Sequence, residues 1–210
     1  MNLIDFFTDA YRDTSWFVIS LEMIAFVFGI ASVYYAKKEN ILVYPTGLIA
    51  TCITVFLLYR AGYFGDMVVN FYYSVMSIYG WYIWSRPTVN NGVLPISRTS
   101  KREKLIGLML FVVTIVVIFV VYRIFAQAIE VENYIDVFTS GVFFTAMYFM
   151  ALKKIENWTL WIVADIISIP LYAYRGLGIL SLQFLIFTIM AVQAYIEWKK
   201  TLDMPKMATK

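Results

Sequence analysis

The chain has 210 residues, 61% of them hydrophobic and 15% charged, with 17 Lys and Arg against 14 Asp and Glu. So much apolar side chain and so little charge lie outside the balance of a soluble domain and point to a membrane protein. Histidine is absent and Cys52 is the only cysteine, which excludes His-based acid–base chemistry, His metal sites, histidine-ligated haem and an internal disulfide.

The first 16 residues, with Asp5, Asp9, Arg12 and Asp13, lack the basic start and apolar core of a cleavable signal peptide. A spanning helix needs about 20 mostly apolar residues. Seven such stretches are predicted, at 17–36, 41–59, 67–85, 105–123, 134–152, 158–174 and 177–198. The connections are too short for a separate soluble domain, so a single polytopic membrane domain over 1–210 is expected. The longest connection, 86–104, carries Pro87, Asn90-Asn91-Gly92, Pro95 and a basic run, and reads as a linker.

Basic residues fall unevenly between the two sides. One set of connections holds Lys37, Lys38, Arg86, Arg98, Lys101, Arg102, Lys104, Lys153, Lys154, Lys199, Lys200, Lys206 and Lys210; the other holds only Arg12, Arg60, Arg123 and Arg175, beside acidic Glu130, Glu132 and Asp136. By the positive-inside rule the amino terminus lies outside and the carboxyl terminus in the cytoplasm. Spread over short loops, these cations set topology and do not suit nucleic acid.

Lys37-Lys38-Glu39-Asn40 opens the second stretch and Lys153-Lys154-Ile155-Glu156-Asn157 the sixth. Aligning the Glu-Asn pairs sets Tyr44 opposite Trp161 and Thr51 opposite Ser168. Each of these helices ends at an arginine beside a glycine (Arg60-Ala61-Gly62 and Arg175-Gly176), and the next ends at Trp84 or Trp198. Two repeats are predicted, 17–85 and 134–198, with 105–123 as a connector. One extra crossing makes two three-helix units parallel, an arrangement that in transporters places the substrate near midplane between the repeats.

The sixth stretch holds the sharpest functional signal. Asp165 is a carboxylate in an apolar helix, and ionisable groups at membrane depth mark functional sites. Trp158, Trp161, Asp165, Ser168 and Tyr172 share one face of roughly 80°. Arg175 is ten residues away, about 15 Å along a helix, too far to pair. Aromatic walls around one negative charge suit a flat cation; a hydrogen bond joining helices is the structural reading of the same residue. Pro170 in this helix invites a bend. In the third stretch Asn70, Tyr73, Ser77, Gly80, Trp81 and Trp84 share a face, with Asn70 and Tyr73 placed to bond a ligand's hydroxyls. Gln183 is a polar group in apolar surroundings in the seventh. No phosphate loop is present, and Lys199 lies past the last helix, where a retinal lysine would be inside it. No enzymatic activity, cofactor or metal is expected.

Trp158, Trp161 and Asp165 match a Trp-x-x-Trp-x-x-x-Asn/Asp signature; Tyr79, Gly80, Trp81 and Trp84 match Tyr-Gly-Trp-x-x-Trp; Ser181-Leu182-Gln183-Phe184 opens the last helix as Ser-Leu-x-aromatic. In these the chain resembles the nicotinamide riboside transporter (PnuC) family over most of its length. The resemblance implies an all-α membrane protein of seven transmembrane helices in 3+1+3 parallel repeats, SWEET-like. It implies facilitated diffusion of an unphosphorylated vitamin precursor across the bacterial inner membrane, trapped by a cytoplasmic kinase, and assembly as a trimer. Trp158, Trp161, Asp165, Ser168, Asn70, Tyr73 and Gln183 are the expected substrate-binding residues. Two positions depart from the family: Asp165 stands where a carboxamide is often found, and Ser77 where an asparagine is expected. Nicotinamide riboside and thiamine are both flat cations and either suits such a site; a membrane receptor for the same ligands is the reading from another class.

Overall fold

The computed structural model describes residues 14–61, 64–87, 94–125, 131–175 and 177–204. Asp5, Asp9, Arg12, Asp13, Gly62, Asn90-Asn91-Gly92, Glu130, Gly176, Lys206 and Lys210, used above, lie outside them. Seven helices follow in order: α1 Trp16–Lys37, α2 Val43–Ala61, α3 Phe64–Ser85, α4 Lys101–Phe125, α5 Val131–Ala151, α6 Glu156–Tyr174 and α7 Gly178–Asp203. The predicted stretches match them to within a few residues at each end. At 1.5 Å per residue, 19 to 26 residues reach about 28–39 Å, enough to cross a hydrocarbon core of about 30 Å.

Five of the seven, α1, α2, α4, α5 and α7, are apolar enough to cross on composition alone. The two others, α3 and α6, hold Asn70, Tyr72, Tyr73, Trp81 and Trp84, and Glu156, Asn157, Trp158, Trp161 and Asp165. Polar and amphipathic residues lower their hydropathy for the same reason that they were singled out as candidate site helices.

The helices form a ring. In it α1 packs on α2, α2 on α3, α3 on α5, α5 on α6, α6 on α7, and α7 returns to α1, while α4 lies outside against α5. The middle helix of each predicted unit, α2 or α6, therefore stands across the ring from its counterpart. Apolar side chains are exposed along the outer faces of the helices, most densely on α4, as helices facing lipid require. Close approach is tightest at Gly80 of α3, where a Cβ would collide with the Tyr44 ring of α2.

The turns after α1 and α5 have the same geometry. In the first, Glu39 N–H reaches Ala36 O and Asn40 N–H reaches Tyr35 O; in the second, Lys153 N–H reaches Met150 O and Lys154 N–H reaches Phe149 O. Both are Schellman-type helix ends. Glu39 and Lys153 occupy the left-handed position, each at φ 55°, where glycine is the easier residue. A spacing of 114 residues links Glu39 to Lys153, Tyr44 to Trp158 and Trp84 to Trp198. The backbone thus pairs Tyr44 with Trp158 and Thr51 with Asp165, three residues from the register expected from the Glu-Asn pairs.

A core of large rings closes the lysine-rich end. Tyr44 meets Trp84 edge-on at 5.1 Å and 88°, and Trp158 meets Trp198 edge-on at 5.3 Å and 87°. Trp84 and Trp198 touch across the ring at 6.4 Å. Their indoles are used reciprocally: Trp198 Nε1–H donates to Ala36 O at 3.2 Å and Trp84 Nε1–H to Ala151 O at 3.2 Å. Both acceptors are late carbonyls of α1 and α5, where regular i+4 pairing ends, and Ala36 O also accepts from Glu39 N–H.

Candidate substrate site

Asp165 is 2% exposed, and among the described residues its Oδ1 has no hydrogen-bond partner. On the same face, Ser168 is 1% exposed and Ala164, beside them, is fully buried. A carboxylate oxygen enclosed without a donor is costly, and natural proteins keep such groups where they serve a ligand or a switch. The cation on this helix is already engaged: Arg175 Nη2 lies 2.6 Å from Asp136 Oδ2 on α5, which also accepts from the Tyr122 hydroxyl at 3.1 Å. That network accounts for Arg175 at the end of the bundle opposite the lysines.

Aromatic rings stand beside the carboxylate. Trp161, one turn toward the lysine-rich end, is flanked by Phe143 of α5 at 5.3 Å and Tyr73 of α3 at 6.1 Å between centroids. Phe143 continues to Phe184 of α7 at 6.0 Å, and Phe184 stacks on Tyr172 of α6 at 5.1 Å and 7°. Beyond Tyr73, Tyr72 stacks on Phe144 at 3.8 Å. This chain of rings runs from α3 through α5 and α6 to α7, so it draws on both predicted repeats.

The seven predicted residues separate into groups. Trp161, Asp165 and Ser168 lie together on α6, and Tyr73 joins them through Trp161. Trp158 does not: it is 2% exposed and packs on Trp198 in the core at the lysine-rich end, with its Nε1–H unpartnered. Seven residues separate it from Asp165, about 10 Å along the helix, so it forms a floor beneath the site. Gln183 faces α1, where its Nε2 lies 3.6 Å from the position of a Cβ on Gly29. Asn70 is half-buried on α3, its carbonyl accepting from Ser74 Oγ at 3.1 Å. Phe143 is the residue that sequence reading passed over, for nothing marks one phenylalanine among many in an apolar helix. Pro170 sits within α6 without ending it, and beside it the Ile169 carbonyl accepts from the Ser181 hydroxyl at 2.9 Å.

Six helices in a ring, a seventh packed outside it, and a buried carboxylate beside aromatic walls make the architecture of a multi-pass membrane transporter. The nicotinamide mononucleotide transporter family model matches residues 19–200, and the chain belongs to that family. It is 25% identical over 209 residues to the nicotinamide riboside transporter PnuC of Escherichia coli strain K12, covering 89% of this chain and 86% of the relative. With the PnuC of Neisseria mucosa it shares 27% identity over 202 residues, covering 90% of this chain and 74% of that one. A solved structure described as that of the vitamin B3 transporter PnuC superposes with a TM-score of 0.69 at 25% identity, over 92% of this chain and 84% of the other.

Proposed function

We propose that this protein carries nicotinamide riboside into a bacterial cell by facilitated diffusion across the inner membrane, for trapping by cytoplasmic phosphorylation. The observation that carries the reading is the unpartnered Oδ1 of buried Asp165 beside Trp161. A pyridinium ring is flat and positively charged, so it satisfies the carboxylate and is attracted to aromatic faces. The relatives named for nicotinamide riboside support this cargo. A phosphorylated cargo fits less well, because its phosphate would bring negative charge into an apolar interior that already holds a carboxylate.

Orientation follows from the charge bias, with the lysine-rich end cytoplasmic and the amino terminus outside. We read 17–85 and 134–198 as parallel repeats about an axis along the membrane normal, supported by the matching turns at Glu39 and Lys153. The cargo then binds against Trp161, Asp165, Ser168 and Tyr73, with Asn70 and Gln183 available from neighbouring helices and Trp158 closing the floor. Thiamine is the second reading. It is favoured by Asp165 and Ser77, where the family's amides give way to a charge and a hydroxyl. Trimeric assembly rests on the family resemblance and is checked by the mass of the purified protein in detergent.

Counterflow into proteoliposomes tests the function: labelled nicotinamide riboside should accumulate when unlabelled cargo is trapped inside. Accumulation of thiamine alone would reassign the cargo, and accumulation of neither would defeat the transport reading. Collapse of the proton and sodium gradients should leave the rate unchanged for a uniporter.

A further inference from the structure

We propose that the ion pair between Glu39 and Lys153 is a latch that holds the lysine-rich end of the path shut, and that cargo leaves through this end only when the pair parts. The inference rests on the orientation and transport reading above. Its geometric basis is independent of which cargo is carried.

The two residues occupy corresponding places, each the left-handed residue that ends the first helix of a predicted repeat. Such a position is easiest for glycine, and a charged side chain kept there against backbone preference signals a function for that side chain. Here the two charges meet. Lys153 Nζ lies 3.0 Å from Glu39 Oε2, tying the α1–α2 turn to the α5–α6 turn across the ring. Lys153 is 1% exposed and also donates to Leu94 O at 2.9 Å, with its ammonium 4.5 Å from the centroid of the Trp84 ring. Removing Glu39 would leave a nearly buried ammonium without its carboxylate.

Directly associated with the latch is the four-ring floor of Tyr44, Trp84, Trp158 and Trp198. Two of its polar atoms, the Tyr44 hydroxyl and Trp158 Nε1, are buried and unpartnered, and they lie at corresponding positions. Unmet hydrogen bonds weigh against the closed floor, which an apolar plug would not suffer. A floor penalised in this way needs something to hold it closed, and it offers donors to a polar cargo once open. Lys37 and Lys38, paired with Glu197 of α7 at 3.1 and 3.3 Å, add a second tie between α1 and α7 at the same end. The pair at the other end, Arg175 with Asp136, joins α5 to α6 within one unit and cannot hold the two units together.

The test is the rate at which a membrane-permeant thiol reagent modifies a cysteine placed in the floor. Ala194→Cys in a Cys52→Ser background puts the probe at a position that is fully buried when closed. Glu39→Gln should raise the modification rate about tenfold, the population shift expected from losing a half-screened ion pair. Glu39→Gly should do the same although it relaxes the backbone, which separates the latch from folding damage. Glu39→Asp, which keeps the charge, should raise the rate clearly less than Glu39→Gln does. Rates within about twofold of the parent in both Glu39→Gln and Glu39→Gly, or an equal rise in Glu39→Asp and Glu39→Gln, would overturn the proposal. The readout needs no cargo: failed uptake with an intact tenfold shift would refute the transport reading and leave the latch standing.

Discussion

Replacing Asp165 by asparagine should weaken binding of a cationic riboside while making the empty protein more stable. Both effects come from the same buried, unpartnered oxygen. At an effective dielectric of about 20, a carboxylate about 4 Å from a cationic ring contributes roughly 4 kcal/mol. The asparagine carbonyl keeps a dipole there, and the wild-type carboxylate must be desolvated, so about half survives as a difference, about 2 kcal/mol. That is roughly a 30-fold rise in Kd. The reduced, uncharged dihydropyridine riboside has nearly the same shape and should lose less than about threefold. Without ligand, the neutral amide costs less to bury, and the thermal midpoint should rise by about 2–4 °C. Titration calorimetry on purified protein with both ribosides, paired with thermal melts, measures all three quantities. Equal losses for the charged and uncharged ligands would remove Asp165 from charge recognition, and a lowered midpoint would mean that the carboxylate has a structural partner.

Trp161→Ala should weaken the charged riboside by about tenfold through loss of one aromatic face, and Trp161→Phe by clearly less; calorimetry that finds the two variants alike would deny Trp161 a cation–π role. Arg175→Met leaves Asp136, among the described residues, with the Tyr122 hydroxyl and should lower stability by about 1–3 kcal/mol. Its affinity should stay near the parent's, and Asp136→Asn added to it should recover most of the melting temperature. Gly80→Val drives a side chain into the Tyr44 ring, so its midpoint should fall by an amount that reflects about 2 kcal/mol or more of overpacking. A melt unchanged from the parent would show that α2 and α3 can separate freely.

Helix positions could be read from the sequence because spanning a bilayer demands long apolar runs, and even α3 and α6 kept enough of that pattern to be placed. Depth was harder. The spacing of Trp158, Trp161 and Asp165 fixes their angle around α6, yet says nothing of what packs at each height, and Trp198 claims Trp158 for the floor. The register between the two predicted units was set by the wrong landmark. Glu39-Asn40 and Glu156-Asn157 are the same letters, whereas the turns are built alike at Glu39 and Lys153, residues of opposite charge. Backbone conformation is shared there and side-chain identity is not, so a comparison of letters passes over it.

That register changes how the site itself is understood. With Asp165 opposite Thr51, the two units differ at one height by a carboxylate against a hydroxyl. In α2 the polar group is satisfied locally: Ser74 Oγ lies 2.8 Å from Thr51 Oγ1, and Thr51 can donate to Leu48 O at 3.3 Å. On the other side Ser74 corresponds to Thr188, whose hydroxyl turns back to Phe184 O at 2.8 Å, and Asp165 Oδ1 is left without a donor. If the two units are repeats, they hold one closed polar pair and one unpartnered carboxyl oxygen. A cargo with its positive charge at one end and neutral hydroxyls at the other has a reason to bind in a single orientation. On the proposed reading of two parallel repeats, the asymmetry that selects it arises from which oxygen the protein leaves unsatisfied.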